Sequence, residues 1–193
     1  MKFKKIILMS LVLALLFACS DNKEFNKEDY RAEFDGYAKE FMTELKSVLQ
    51  KNMKEGGPVK AVTVCSDTAQ MLTQNFAEVE NIEIKRVSFK NRNPNNIPDE
   101  FEGDVLYEFE RLAANGNLKK DTTVIKKVRE DGIDKIKFMK PIMVEAPCLL
   151  CHGQQTEIMP QAAEIIKNNY PYDKATGYKV GDLRGAISIT KIM

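Results

Sequence analysis

Tryptophan is absent from this chain and histidine nearly so: His152 is the single imidazole among 193 residues. One histidine excludes every intramolecular site that needs two, including a two-Cys two-His zinc finger and a bis-His haem. A dominant charge is also lacking, with 29 Lys and Arg against 28 Asp and Glu. No Lys/Arg block is longer than Lys4-Lys5, so no segment offers the field that gathers nucleic acid. Long hydrophobic runs are missing too. The longest, Ile6 to Ala18, is interrupted by Ser10 and falls short of the ~20 apolar residues that cross a bilayer. The length suits one domain with one core and excludes two large catalytic domains.

What that short run does fit is an export signal, residues 1–18, because the lysines of Met1 to Lys5 precede it as the charged region of such a signal would. It closes on Leu15-Leu16-Phe17-Ala18-Cys19-Ser20, which resembles the lipobox of bacterial lipoproteins. The resemblance implies cleavage before Cys19 and acylation of that residue, and more than one acyl chain is enough for stable membrane anchoring. An incidental Cys after a simple secretory signal is the alternative. The expected location is the bacterial envelope, with the domain in the periplasm, and Ser20 is compatible with the outer membrane. Residues 19–26 then serve as a tether, and the domain spans 27–193. In an exported chain spare thiols are oxidised or bound to something. Cys65, Cys148 and Cys151 are odd in number, so a pure disulfide framework accounts for them poorly.

From Lys27 the pattern is helical, with Tyr30, Phe34, Phe41, Leu45, Val48 and Leu49 on one stripe until Gly56-Gly57-Pro58 ends it. Pro58 suits the first turn of a second helix, on which Val62, Cys65, Ala69, Leu72 and Phe76 follow spacings of three and four. A strand is expected over 82–89, a loop over 91–98 and a helix over 99–114. Segments 122–129 and 133–144 flank Glu130-Asp131-Gly132, whose Asp-Gly supplies the positive φ of a hairpin turn. A short helix near 158–168, a loop over 170–184 and a strand over 185–192 complete the chain. No βαβ alternation appears, so the fold class is α+β with an antiparallel sheet and long N-terminal helices.

The chemistry concentrates in Cys148-Leu149-Leu150-Cys151-His152. Two thiols at this spacing can each form a thioether with a haem vinyl group, and the adjacent imidazole then lies beneath the iron. Two alternatives use the same residues. A Cys148–Cys151 redox disulfide would require a thioredoxin-like strand and helix, and Pro147 with its preceding loop does not supply them. Cys65, Cys148, Cys151 and His152 also have the ligand count of a closed zinc site.

Cys148 to Gly153, Tyr170 to Tyr178 and Gly181 to Ser188, with Val64-Cys65-Ser66 and the run from Arg86 to Pro98 upstream, are together similar to one family. It is the exported single-haem c-type family of uncharacterised function whose domain also serves as the sensor region of some bacterial histidine kinases. The resemblance runs from about Lys27 to the C-terminus. It implies a PAS-like domain with one covalent haem c and with Cys65 as the iron ligand opposite His152. Unlike the kinase members, the chain is expected to carry no transmembrane segment and no output domain after Met193.

The second axial position can also be weighed from the residues. Histidine is used up, most Met residues on apolar stripes are core, and Met159 is too close to His152 to reach the other haem face. Cys65 is the thiol that remains unexplained, with a buried structural role as its alternative. A thiolate stabilises Fe(III), so a His152/Cys65 pair is expected to have a low potential. Haem propionates require donors, and Arg86, Arg92 and Arg184 are candidates, with solvated surface charge the competing role for each. Two functions follow: a redox or diatomic-gas sensor module working with an envelope partner, or a low-potential electron carrier. Enzymatic activity is not expected, because the sequence shows no catalytic acid–base pair and no second histidine for peroxidase chemistry.

Overall fold

The computed structural model describes residues 25–193. The export signal, Cys19 and most of the tether lie outside the described residues. The first element, α1 (Lys27–Glu80), is capped by the Asn26 side chain, which accepts from the Glu28 amide, and closed by Asn81 in the left-handed region. Its backbone leaves helical geometry at Gly56 and Gly57, the latter at φ 66°. Beyond that break the chain doubles back. The ring of Phe76 lies 5.5 Å from Phe41 and 6.5 Å from Tyr37, whereas a straight helix would separate residues 41 and 76 by about 50 Å. The glycine pair thus turns the element into a helical hairpin, with the helix stop at Gly56-Gly57-Pro58 where the sequence places it.

Burial along the two arms is uneven. Tyr30, Phe34 and Phe41 are buried on the first arm, and Val62 and Phe76 on the second. Leu45, Val48 and Leu49, and on the other arm Cys65, Ala69 and Leu72, are only partly buried. These two stretches sit at the same level of the hairpin, since each lies at a similar distance along the chain from the reversal.

Four antiparallel strands form one sheet in the order β1-β4-β3-β2: β1 (Glu83–Val87), β2 (Val124–Glu130), β3 (Ile133–Met143) and β4 (Leu183–Ile192). The β2–β3 turn has positive φ at both Asp131 and Gly132, the geometry that makes Asp-Gly a hairpin signal. One sheet face presents Ile84, Ile136, Phe138, Ile187 and Ile189 to Phe34 and Phe41 of α1, with the Phe34 and Phe138 rings edge to face at 5.8 Å. On the opposite face Val87, Met139 and Ala186 meet Val105, Leu106 and Phe109 of α2 (Glu100–Ala114). That helix starts on a reciprocal capping box between Asp99 and Glu102. The α+β architecture is the expected one, with strand limits shifted by one or two residues. The last strand begins at Leu183 rather than Gly185, because Leu183 pairs with Met143 across a register shift. No helix among the described residues is long and apolar enough to cross a membrane.

Candidate functional site

The chain leaves β3 through a single 3-10 turn, Ala146–Cys148, and enters α3 (Leu149–His152), one turn of helix that carries Cys151 and His152. Pro147 suits the start of that turn. The Cys148 sulfur accepts the Glu145 amide at 3.4 Å. Gly153 ends α3, its amide bonding the Leu149 carbonyl at 2.9 Å. A Cβ on Gly153 would stand 2.6 Å from that carbonyl oxygen, so the position takes no side chain. The helix α4 (Pro160–Asn169) then packs Ile158, Ala162 and Ile166 with Cys151 against Val62 of α1. The helical hairpin bearing Cys65 is thereby fastened to the segment bearing the Cys-x-x-Cys-His motif.

The loop 170–184 wraps the motif through its backbone. Gly177 and Tyr178 donate their amides to the carbonyls of Gly153 and His152 at 2.8 and 3.0 Å. The Nδ1 of His152 lies 2.7 Å from the Ala175 carbonyl oxygen. A carbonyl only accepts, so Nδ1 carries the hydrogen and the lone pair is on Nε2, the tautomer a metal ligand requires. Burial first, and then the positive charges of Arg184 and Arg92, push the His152 pKa down to about 3. The imidazole is consequently neutral at physiological pH.

Arginines dominate the charge around it. Arg86 lies on the α1 face of β1, on the same side as Ile84, and Arg184 lies near the start of β4. Burial, and then each other's proximity or that of Arg92, lowers the guanidinium pKa of Arg86 and Arg184. Arg92 is engaged differently. Its terminal nitrogen donates to the Cys151 carbonyl at 2.6 Å and pairs with Asp173 at 3.1 Å, both side chains being well covered. The Nε atoms of Arg86 and Arg92 are buried and meet no acceptor among the described residues. Unpaired buried donors cost ~1–3 kcal/mol each, and two carboxylates would relieve them. Two thiols, a neutral imidazole with Nε2 available and guanidiniums suited to propionates together fit a haem.

Cys65 is half-buried on the second arm of α1. Burial raises its thiol pKa and the charge of Arg86 opposes the rise, while the Cys151 thiol, raised chiefly by its own burial, is affected by Cys65 as well. Cys65 is therefore within electrostatic reach of Arg86 and Cys151. None of the three cysteines forms a disulfide, and no three metal-competent side chains among the described residues are gathered closely enough to hold a bare ion. That separation does not fit the closed zinc site, which needs its four donors at about 2 Å from one point.

Several contributors carry no mark in the sequence. Ala175 acts through its carbonyl, and Lys46 reaches Glu145 with both carboxylate oxygens, at 3.1 and 3.0 Å, across 99 residues of chain. Tyr178, Lys90 and Asp173 lie within the family-like motifs, yet only the folded loop reveals what they touch.

The fold and the site define an α+β domain built around one Cys-x-x-Cys-His turn held beneath a helical hairpin. The chain belongs to the Tll0287-like family, whose sequence pattern matches residues 27–191. Its fold is similar to that in the crystal structure of the cyanobacterial heme-protein Tll0287, with a TM-score of 0.65 at 22% identity over 88% of this chain and 98% of that one. No curated protein matches the chain.

Proposed function

We propose that this domain holds one haem c through thioethers to Cys148 and Cys151, with His152 and Cys65 as the axial ligands, and acts as a redox or diatomic-ligand sensor. Cys19 anchors it by lipid in the bacterial envelope, with the domain in the periplasm. The observation that carries the haem reading is the His152 ring: its Nδ1 hydrogen is committed to Ala175, and its basicity is suppressed by burial and arginines. Membership of a family that includes a heme-protein supports it. Bound haem supplies an iron that takes electrons or a diatomic ligand, and the chain supplies its position, its charge balance and its second ligand. Arg86 and Arg92 offer their unpaired Nε donors to the propionates, and Arg92 also braces the Cys151 carbonyl against Asp173.

The sensor reading rests on Cys65. Its helix arm joins the rest of α1 through a two-glycine reversal, so a change at the thiolate has a hinge through which to act. The test is exposure of the dithionite-reduced protein to CO and NO. Displacement of Cys65, seen as loss of the thiolate-ligated spectrum, is expected. A spectrum unchanged by either gas, with rapid electron exchange, would instead make the protein an electron carrier.

A further inference from the structure

We infer that Tyr178 is a positioning residue for the proximal ligand, fixing the plane of His152 and seating the Lys90 ammonium on its own ring rather than at the imidazole. This deepens the haem reading and rests on it. Tyr178 is buried, 6% exposed, against Val144 and Ala175 and beside the partly buried Cys148 and Leu149. Its backbone amide holds the His152 carbonyl at 3.0 Å, and its ring stands at 88° to the imidazole with centroids 6.3 Å apart. The same ring carries the Lys90 ammonium at 4.1 Å and the Arg184 guanidinium at 5.4 Å from its centroid. Both cations are tied at the ring in other ways: Lys90 donates to the Thr176 carbonyl at 2.5 Å, and Arg184 donates to the Lys90 carbonyl at 3.1 Å.

The geometry has a physical purpose in each direction. An imidazole held by one hydrogen bond at Nδ1 can still rotate about that contact, and an aromatic ring packed perpendicular to it removes the freedom. Cations prefer the electron-rich face of an aromatic ring, so the tyrosine gives Lys90 a resting place that is not the imidazole. The backbone bond from Tyr178 would survive any side-chain change, which makes the ring itself the testable part. The contacts with His152 and Lys90 use the aromatic ring, while the phenol oxygen interacts with Arg184, which the Lys90 carbonyl also holds.

The experiment compares wild type, Tyr178→Phe, Tyr178→Leu and Lys90→Met, each matured with haem, by ferric electron paramagnetic resonance and by potentiometric titration. A c-type pyridine haemochrome of the wild type is recorded first, and its absence would overturn the haem reading itself rather than this role. Tyr178→Phe is expected to keep the wild-type signal and potential. Tyr178→Leu is expected to broaden the low-spin signal, as the imidazole plane loses its restraint, and to raise the potential, as positive charge moves toward the iron and favours Fe(II). Should Tyr178→Leu fail to mature, Lys90→Met carries the test of charge: removing the cation is expected to lower the potential while leaving the line shape sharp. A wild-type signal and potential in Tyr178→Leu, a Phe variant that behaves like Leu, or an unchanged potential in Lys90→Met would overturn the role.

Discussion

At the scale of single residues the site is governed by which groups are already engaged. Arg92 spends its terminal nitrogen on Asp173 and on the Cys151 carbonyl, so its removal leaves a covered carboxylate without its counter-ion and with the Ala175 amide as its remaining donor. Arg92→Leu is expected to cost about 3 kcal/mol of folding stability, the figure for breaking a buried pair, read from urea unfolding of the haem-loaded protein. Arg86 has its Nε buried and unpaired among the described residues, and it is the candidate whose side chain is most plainly available to a carboxylate. Cys65→Ala is expected to abolish thiolate features in the ferric absorption spectrum while leaving the haem covalently attached; an unchanged spectrum would remove Cys65 from the iron. The sequence marked Cys148, Cys151, His152 and Cys65 because three thiols beside the single histidine demand a reason. It could not distinguish Arg92 from Arg86, since both are arginines in the same family-like stretch and only the folded loop supplies Asp173.

At the scale of elements the helical hairpin of α1 is the part that joins the sheet to the site. Phe34 is fully buried between Tyr30 and Tyr37 on its own arm and Phe138 on β3. Phe34→Ala is expected to cost ~3–5 kcal/mol, measured by chemical denaturation. The arm is also clamped by ion pairs, Asp35 to Lys140 and Lys39, and Glu33 to Lys191. Burial raises the Asp35 pKa, but the hydrogen bonds and charges of Lys140 and Lys39 outweigh it and hold the carboxyl below its ordinary 3.8. Because the native value lies below the unfolded one, the stabilisation is present above pH 3.8 and is lost as pH falls through the depressed native value. Asp35→Asn should therefore lower the urea midpoint at neutral pH and flatten its fall in acid. The helix stop at Gly56-Gly57-Pro58 and the Asp131-Gly132 turn were legible because both need backbone geometry that glycine supplies. That the two arms fold back on each other was not, because it depends on Phe76 finding Phe41 and Tyr37 from the far side of the reversal.

At the scale of the whole molecule, one sheet is covered by α1 on one face and α2 on the other, and the Cys-x-x-Cys-His turn is held at its margin by a loop whose contacts are mostly backbone to backbone. The antiparallel α+β class was legible from the order of strand and helix patterns, and the site from its motif; the loop's grip on His152 was not, since a carbonyl such as that of Ala175 has no sequence signature. The proposed lipid anchor makes location a matter of one residue. Cys19→Ser is expected to release the protein from the membrane fraction, checked by fractionation and acyl labelling. The covalent haem is the central claim, and its most direct test is the pyridine haemochrome spectrum of protein made with the haem-attachment machinery, recorded on the polypeptide after acid-acetone extraction. A c-type spectrum that stays with the chain is the predicted result; haem that extracts into the organic phase, or a chain that carries zinc and no haem, would contradict it.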